Sequence, residues 1–184
     1  MRTQLAPDIK QRRSIRLNDY DYSQEGAYFV TICTHRHKFL FGKIVDSAIQ
    51  LNRLGNVVNK CWLEIPHHFP NAEVDAFVIM PNHIHGIVSI VDNCRGTACR
   101  APTEKFGRPT PNSLPTIIRS FKSAVTKRIN SLRQTPGARL WQRNYYEHVI
   151  RNETDLNDIR QYILDNPVKW DMDEENANRN TTVE

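Results

Sequence analysis

Hydrophobic residues recur at two spacings along this chain, the alternation of strands and the three-to-four-residue period of helices. Tyr28 to Thr34 is an aromatic and β-branched run that predicts a first strand, and Phe41 to Val45 predicts a short arm pairing with it as a hairpin. Ile49, Leu51, Leu54, Val57, Val58, Cys61, Trp62 and Ile65 follow a helical pattern ended by Pro66. Val74 to Ile79 and the apolar run after Pro81-Asn82 predict two strands of a hairpin turning at those two residues. Ser113 opens a second helix, with Pro115 in its first turn and an apolar stripe of Leu114, Ile117, Ile118, Phe121, Val125 and Leu132; Pro136-Gly137 ends it. Tyr145 to Ile150 predicts the last strand. Beyond it, Leu156, Ile159 and Ile163 at i, i+3 and i+7 form the buried stripe of a closing helix. The order strand, helix, strand, strand, helix, strand is that of an α+β, ferredoxin-like (RRM-like) antiparallel sheet with helices on one face, plus an extra C-terminal helix.

Composition bounds the organisation. With 184 residues of which 39% are hydrophobic, the chain can bury one substantial core. The predicted domain spans residues 19–170. Residues 1–18 read as a basic N-terminal arm, with Arg12, Arg13 and Arg16 placed to lie on a polyanion. Residues 92–111 carry Gly and Pro without periodicity and read as a flexible loop, and residues 171–184 as a disordered acidic tail. No apolar run approaches the ~18 residues of a membrane span and no signal-like segment opens the chain, so the expectation is a cytoplasmic protein without membrane partners. Cys33, Cys61, Cys94 and Cys99 read as free thiols, because no second cysteine pair or neighbouring histidine supports zinc at Cys94 and Cys99.

The formal charge is +5 with a pI near 9.1. Between Asn112 and Arg151 stand Arg119, Lys122, Lys127, Arg128, Arg133, Arg139, Arg143 and Arg151, opposed only by Glu147. A positive field concentrated on one segment suits a polyanion, although a solvated helix face has the same composition.

Candidate chemistry lies in two places. In Pro81-Asn82-His83-Ile84-His85-Gly86, strand alternation projects His83 and His85 from one face, close enough to share a metal ion; an isolated pair of this kind also simply decorates sheets. About eighty residues on, Tyr162 and Asn166 lie at i, i+4 along a line flanking the buried stripe of the closing helix, and Pro167 should end that helix at Asn166. His148 alternates with Tyr146 and Ile150 on the last strand, where it is either a packed strand residue or an assisting group.

Pro81-Asn82-His83-Ile84-His85 together with Tyr162-x-x-x-Asn166-Pro167-Val168-Lys169 resembles the HUH single-tyrosine transposases (the IS200-like transposases), and among them the REP-associated tyrosine transposases of bacteria. Gly26 to Thr34, Trp141 to His148 and Ile150-Arg151-Asn152 share the likeness, which covers roughly residues 14–170. The resemblance implies that Tyr162 is a nucleophile attacking phosphorus to give a 5′-phosphotyrosine. It implies a divalent metal, Mg²⁺ or Mn²⁺, on His83, His85 and Asn166, the amide being the weakest donor of the three. The partner it implies is single-stranded DNA folded as REP-type palindromic hairpins, with the protein on the nucleoid when bound and acting as a monomer or homodimer. Arg119, Lys122, Arg143 and Lys169, with the arm arginines, are candidate DNA contacts. Two other readings stand beside it. One is an HUH replication or conjugation initiator, against which the Asn-Pro-Val-Lys segment and the small size argue. The other is a non-catalytic ferredoxin-like nucleic-acid-binding module, which would carry exposed aromatics on its central strands where this chain carries two histidines.

Overall fold

A computed structural model of the chain describes residues 20–91, 110–173 and 175–176. The strands β1 (Gly26–Cys33), β4 (Ala72–Ile79), β5 (His83–Ile90) and β6 (Tyr146–Ile150) form one antiparallel sheet in the order β4-β5-β1-β6. Both edges of β1 are therefore taken, by β5 and by β6. This explains a departure from the sequence expectation. The arm at Phe41 to Val45 does not pair with the first strand; β2 (Gly42–Val45) folds back on β3 (Ala48–Leu51) as a separate two-stranded sheet. Asp46 and Ser47, with φ of 50° and 60°, supply the two left-handed residues that a tight hairpin turn requires.

The helical pattern assigned from Ile49 is correspondingly shorter. Ile49 and Leu51 belong to β3, and α1 (Arg53–Leu63) begins after Asn52, whose side-chain oxygen accepts from the N–H groups of Leu54 and Gly55. Pro66 does not end helicity; it sits in the first turn of a short α2 (Ile65–His68), where its missing N–H costs nothing. The helix α3 (Leu114–Arg133) buries Leu114, Ile117, Ile118, Phe121, Val125 and Ile129. Leu132 is exposed instead of buried: the last turn packs on the following loop, with Asn130 buried and its amide donating to the Ala138 carbonyl at 2.8 Å. Together α1 and α3 cover the sheet face that carries Tyr28, Val30, Ile32, Ile84 and Val88, which makes the main core.

The closing helix α4 (Glu153–Asp165) covers the opposite face. Ile163 is buried there against Phe29, Ile87 and Ile150, with Leu156 and Ile159 alongside. A β-bulge in β4 shapes this contact. Val74 pairs with Val88 and Phe77 with Gly86, so Asp75 and Ala76 both stand opposite Ile87 and both look toward α4. Ala76 packs under the helix, while Asp75 accepts from Arg160 Nε and Nη2 at 3.0 and 2.6 Å, a pairing that holds its carboxyl below the usual range.

The residues after α4 depart from the expected disordered tail at its start. Trp170–Met172 form a 3-10 turn, and Asp173 and Asn176 are buried. The N-terminal arm with Arg12, Arg13 and Arg16, the 92–111 loop up to residue 109, Cys94 and Cys99 lie outside the described residues. Cys33 and Cys61 are free thiols, and among the described residues no helix is long and apolar enough to cross a membrane.

Candidate metal and nucleophile site

Alternation along β5 puts His83, His85 and Ile87 on the α4 side, and the register with β1 sets Cys33 and Thr31 directly beside the two histidines. Both imidazoles are removed from water, at 0% and 2% exposure, with ring centroids 4.4 Å apart. Burial holds both neutral: it is the main cause that lowers His83 to about 3 and His85 well below the ordinary histidine value. Neutral imidazole is the form that binds metals.

Neighbouring side chains also fix which nitrogen is available. Asn82 Nδ2 donates to the carbonyls of Glu175 (2.6 Å) and His37 (3.4 Å), which only accept, so its Oδ1 is the atom facing His83 Nδ1 at 2.8 Å. His83 Nδ1 must therefore carry the proton, and Nε2 keeps its lone pair. That Nε2 is buried and makes no hydrogen bond within the described residues; the same holds for Asn166 Oδ1 and Asp173 Oδ2. Three buried electron-rich atoms left unsatisfied in one place are costly unless a cation joins them. The Asn166 side chain reaches His83, and Asp173 Oδ2 is 3.6 Å from His83 Nε2. His83, His85 and Asp173 offer ligand atoms all within 4.8 Å of one another. Imidazole, amide and carboxylate donors in this arrangement fit a divalent metal ion.

Asp173 did not emerge from the sequence, because it lies in a polar stretch without periodicity; only its place three residues past Trp170 marks it. Asn166 behaves as expected in position but not in conformation. It caps α4 and stays in the right-handed helical region in spite of Pro167, which keeps its amide turned inward at 3% exposure.

Tyr162, one helical turn before Asn166, is 45% exposed and its hydroxyl lies 3.3 Å from His85 Nε2. Phe29 supports the ring edge-on with centroids 6.0 Å apart and stacks on His85 at 5.4 Å. The other nitrogen of His85 faces Thr31 Oγ1 at 2.9 Å, so with Nδ1–H donated to threonine the Nε2 lone pair looks at the phenol. A cavity of about 580 Å³ opens here, lined by Phe29, Thr31, His85, Tyr146, Tyr162, Asn166, Lys169, Met172, Asp173 and Glu175.

The remaining candidates are spread more widely. His148 shares the sheet face but bonds Asp155 Oδ2 at 3.0 Å, at the start of α4, and does not line the cavity. Lys169 stands at the cavity wall, ion-paired with Asp165 at 2.9 Å. Arg119 and Arg143 are exposed. Lys122 is not presented outward: its ammonium rests on the carbonyls of Gln142, Arg143 and Asn144 at 2.7, 3.3 and 3.5 Å, and burial lowers it to about 8. Arg128 is engaged with Glu64 at 2.8 Å.

No protein-family model matches the chain. A Haemophilus influenzae protein named only as uncharacterized is 42% identical over 179 residues, covering 95% of this chain and 98% of that one. A second protein of the same organism, named "Putative REP-associated tyrosine transposase", is 29% identical over 151 residues, 81% of this chain and 74% of its own. A solved structure of a REP-associated tyrosine transposase bound to a REP hairpin superposes with a TM-score of 0.57 at 21% identity, covering 84% of this chain and 73% of that one; at such identity the likeness is one of fold.

Proposed function

We propose that this chain, which belongs to one family with the uncharacterized Haemophilus influenzae protein and resembles the REP-associated tyrosine transposases, is a transposase-like enzyme that cuts and rejoins single-stranded DNA. The observation that carries the reading is the convergence of His83 Nε2, Asn166 Oδ1 and Asp173 Oδ2, buried and unsatisfied, beside a phenol on the rim of the same cavity. A binding module has no need of that arrangement.

In this reading His83, His85 and Asn166 hold Mg²⁺ or Mn²⁺, with Asp173 as a further ligand; two imidazoles favour Mn²⁺. The ion supplies Lewis-acid stabilisation of negative charge on the scissile phosphate. Every other task falls to the chain. Tyr162 is the nucleophile: its oxygen bonds to phosphorus as the bond to the 3′-oxygen breaks, giving a 5′-phosphotyrosine and a free 3′-hydroxyl. Rejoining reverses these bonds. Phe29 and the α4 packing hold the ring, and the helix carrying Tyr162 also carries Asn166, so nucleophile and ligand move as one body. Lys169, at the cavity wall, is the cation placed to meet a phosphate there. Two things support the proposed substrate class: a single strand reaches a helix-borne tyrosine more readily than a duplex, and the similar protein is bound to a REP hairpin, so a palindromic single-stranded hairpin is the proposed target.

Covalent capture tests this. The protein is incubated with labelled single-stranded hairpins from the flanks of its own gene, with Mg²⁺ or Mn²⁺, and resolved on a denaturing gel. A metal-dependent adduct lost in Tyr162→Phe and in His83→Ala is expected. An adduct surviving Tyr162→Phe would move the nucleophile, with Tyr145 and Tyr146 next to be tested. Binding without any adduct would favour the non-catalytic module.

A further inference from the structure

A second group of ligating atoms lies next to the first. Cys33, at the end of β1, pairs in register with His83. Its Sγ donates to Glu175 Oε2 at 3.3 Å, and His37 Nδ1 lies 3.2 Å from that same oxygen. All three offer ligand atoms within 4.8 Å of one another. Tetrahedral zinc with bonds of about 2.0–2.3 Å sets its ligand atoms about 3.3–3.5 Å apart, close to both distances.

Two further features concern His37. It has φ of 49° and follows Arg36 at 59°, so two consecutive non-glycine residues sit in the left-handed region to bring this ring inward. Its outer nitrogen, Nε2, stands 2.6 Å from the side-chain amide of Gln142. That separation is short for N–H···N and suits the amide oxygen, since the two ends of an amide are interchangeable in assignment. With Oε1 of Gln142 accepting from Nε2–H, His37 Nδ1 has a lone pair aimed at a carboxylate; it is a buried atom without a well-formed hydrogen bond. A lone pair facing a carboxylate calls for a cation between them.

We infer that Cys33, His37 and Glu175 form a second metal site, taking Zn²⁺ through thiolate, imidazole and carboxylate with water in the fourth position. On binding, the Cys33 thiol gives its proton to solvent. The site fastens Glu175, whose carbonyl accepts from Asn82 and whose N–H donates to Asp173 beside His83, so it braces groups next to the proposed catalytic metal.

Cobalt is the probe. The full chain, stripped with chelator, is titrated with Co²⁺ and followed by absorption, then challenged with Zn²⁺. The expected result is a sulfur-to-cobalt charge-transfer band, displaced by Zn²⁺, lost in Cys33→Ser and retained in His83→Gln. Glu175→Gln, at a half-exposed position that leaves the core intact, should weaken Co²⁺ binding at this band at least tenfold. Absence of the band in the wild-type chain, its persistence in Cys33→Ser, or unchanged affinity in Glu175→Gln would each overturn the site; the first outcome would leave a proton on His37 as the cation facing Glu175. Adduct formation by Tyr162 is read separately, so failure here and failure of the proposed function are distinguishable.

Discussion

His85 Nε2 is asked to do two things. It lies 3.3 Å from the Tyr162 hydroxyl, and it is the nitrogen free to ligate a metal. One lone pair cannot do both, so the phenol competes with the cation. Removing the hydroxyl should therefore tighten metal binding: Tyr162→Phe gains about 1 kcal/mol, roughly fivefold, in Mn²⁺ affinity by calorimetry while losing the adduct. The histidines also set a pH response. The unfolded chain takes up protons on His83 as pH falls below about 6.5, whereas the folded chain, with His83 lowered to about 3, does not. Stability from this residue is thus full above pH ~6.5 and lost below it, by roughly 1.4 kcal/mol per pH unit. Thermal melts between pH 7 and 5 without metal should show the fall, and His83→Gln should reduce it while His85 keeps its own share. At this scale His83, His85, Tyr162 and Asn166 were legible because strand and helix periods bring each pair together. Asp173 was not, because its place depends on a non-periodic segment folding back. Lys122 was misread because charge is visible in a sequence and backbone carbonyls waiting to receive it are not.

The hairpin bearing the two histidines is positioned by a residue between them and the core. Gly86 faces Trp62: a Cβ there would lie 2.3 Å from Trp62 Cζ2 and 3.1 Å from Phe77 Cβ. Trp62 is fully buried, with Phe121 edge-on against it, so the indole has nowhere to go. Gly86→Ala should destabilise the fold by about 1–3 kcal/mol, read as a lower urea midpoint. It should also weaken metal binding, because β5 must shift to make room. The strands and α4 were legible from their apolar spacing. The β2–β3 hairpin was not, since its pairing depends on Asp46 and Ser47 adopting left-handed φ and on both edges of β1 being taken.

Taken whole, the molecule divides its labour between the two faces of one sheet. The face under α1 and α3 carries the main core, and the face under α4 carries the histidines, the tyrosine and the cavity. Its positive charge is less available than the sequence suggests, since Lys122 rests on backbone carbonyls and Arg128 is paired with Glu64. If DNA is the partner, the exposed cations divide accordingly. Lys169→Met should lower the salt dependence of single-strand binding by about 0.7 in log–log slope, one phosphate's worth. Lys122→Met should leave that slope unchanged and lower thermal stability.

The bulge in β4 gives the fold and the chemistry separate adjustments. A regular strand would offer α4 a single residue opposite Ile87, either a small one to pack under the helix or an acid to grip Arg160. The extra residue supplies both, and the Arg160 it grips stands two positions before Tyr162. Because it is inserted without changing which way Val74 and Phe77 point, deleting Ala76 should leave the sheet's sidedness intact and act only on the helix above it. Such a chain should still fold, keep its buried histidines, and lose the aim of Tyr162. An orthodox core with a misdirected Tyr162 is a separation that a point substitution in the site cannot give.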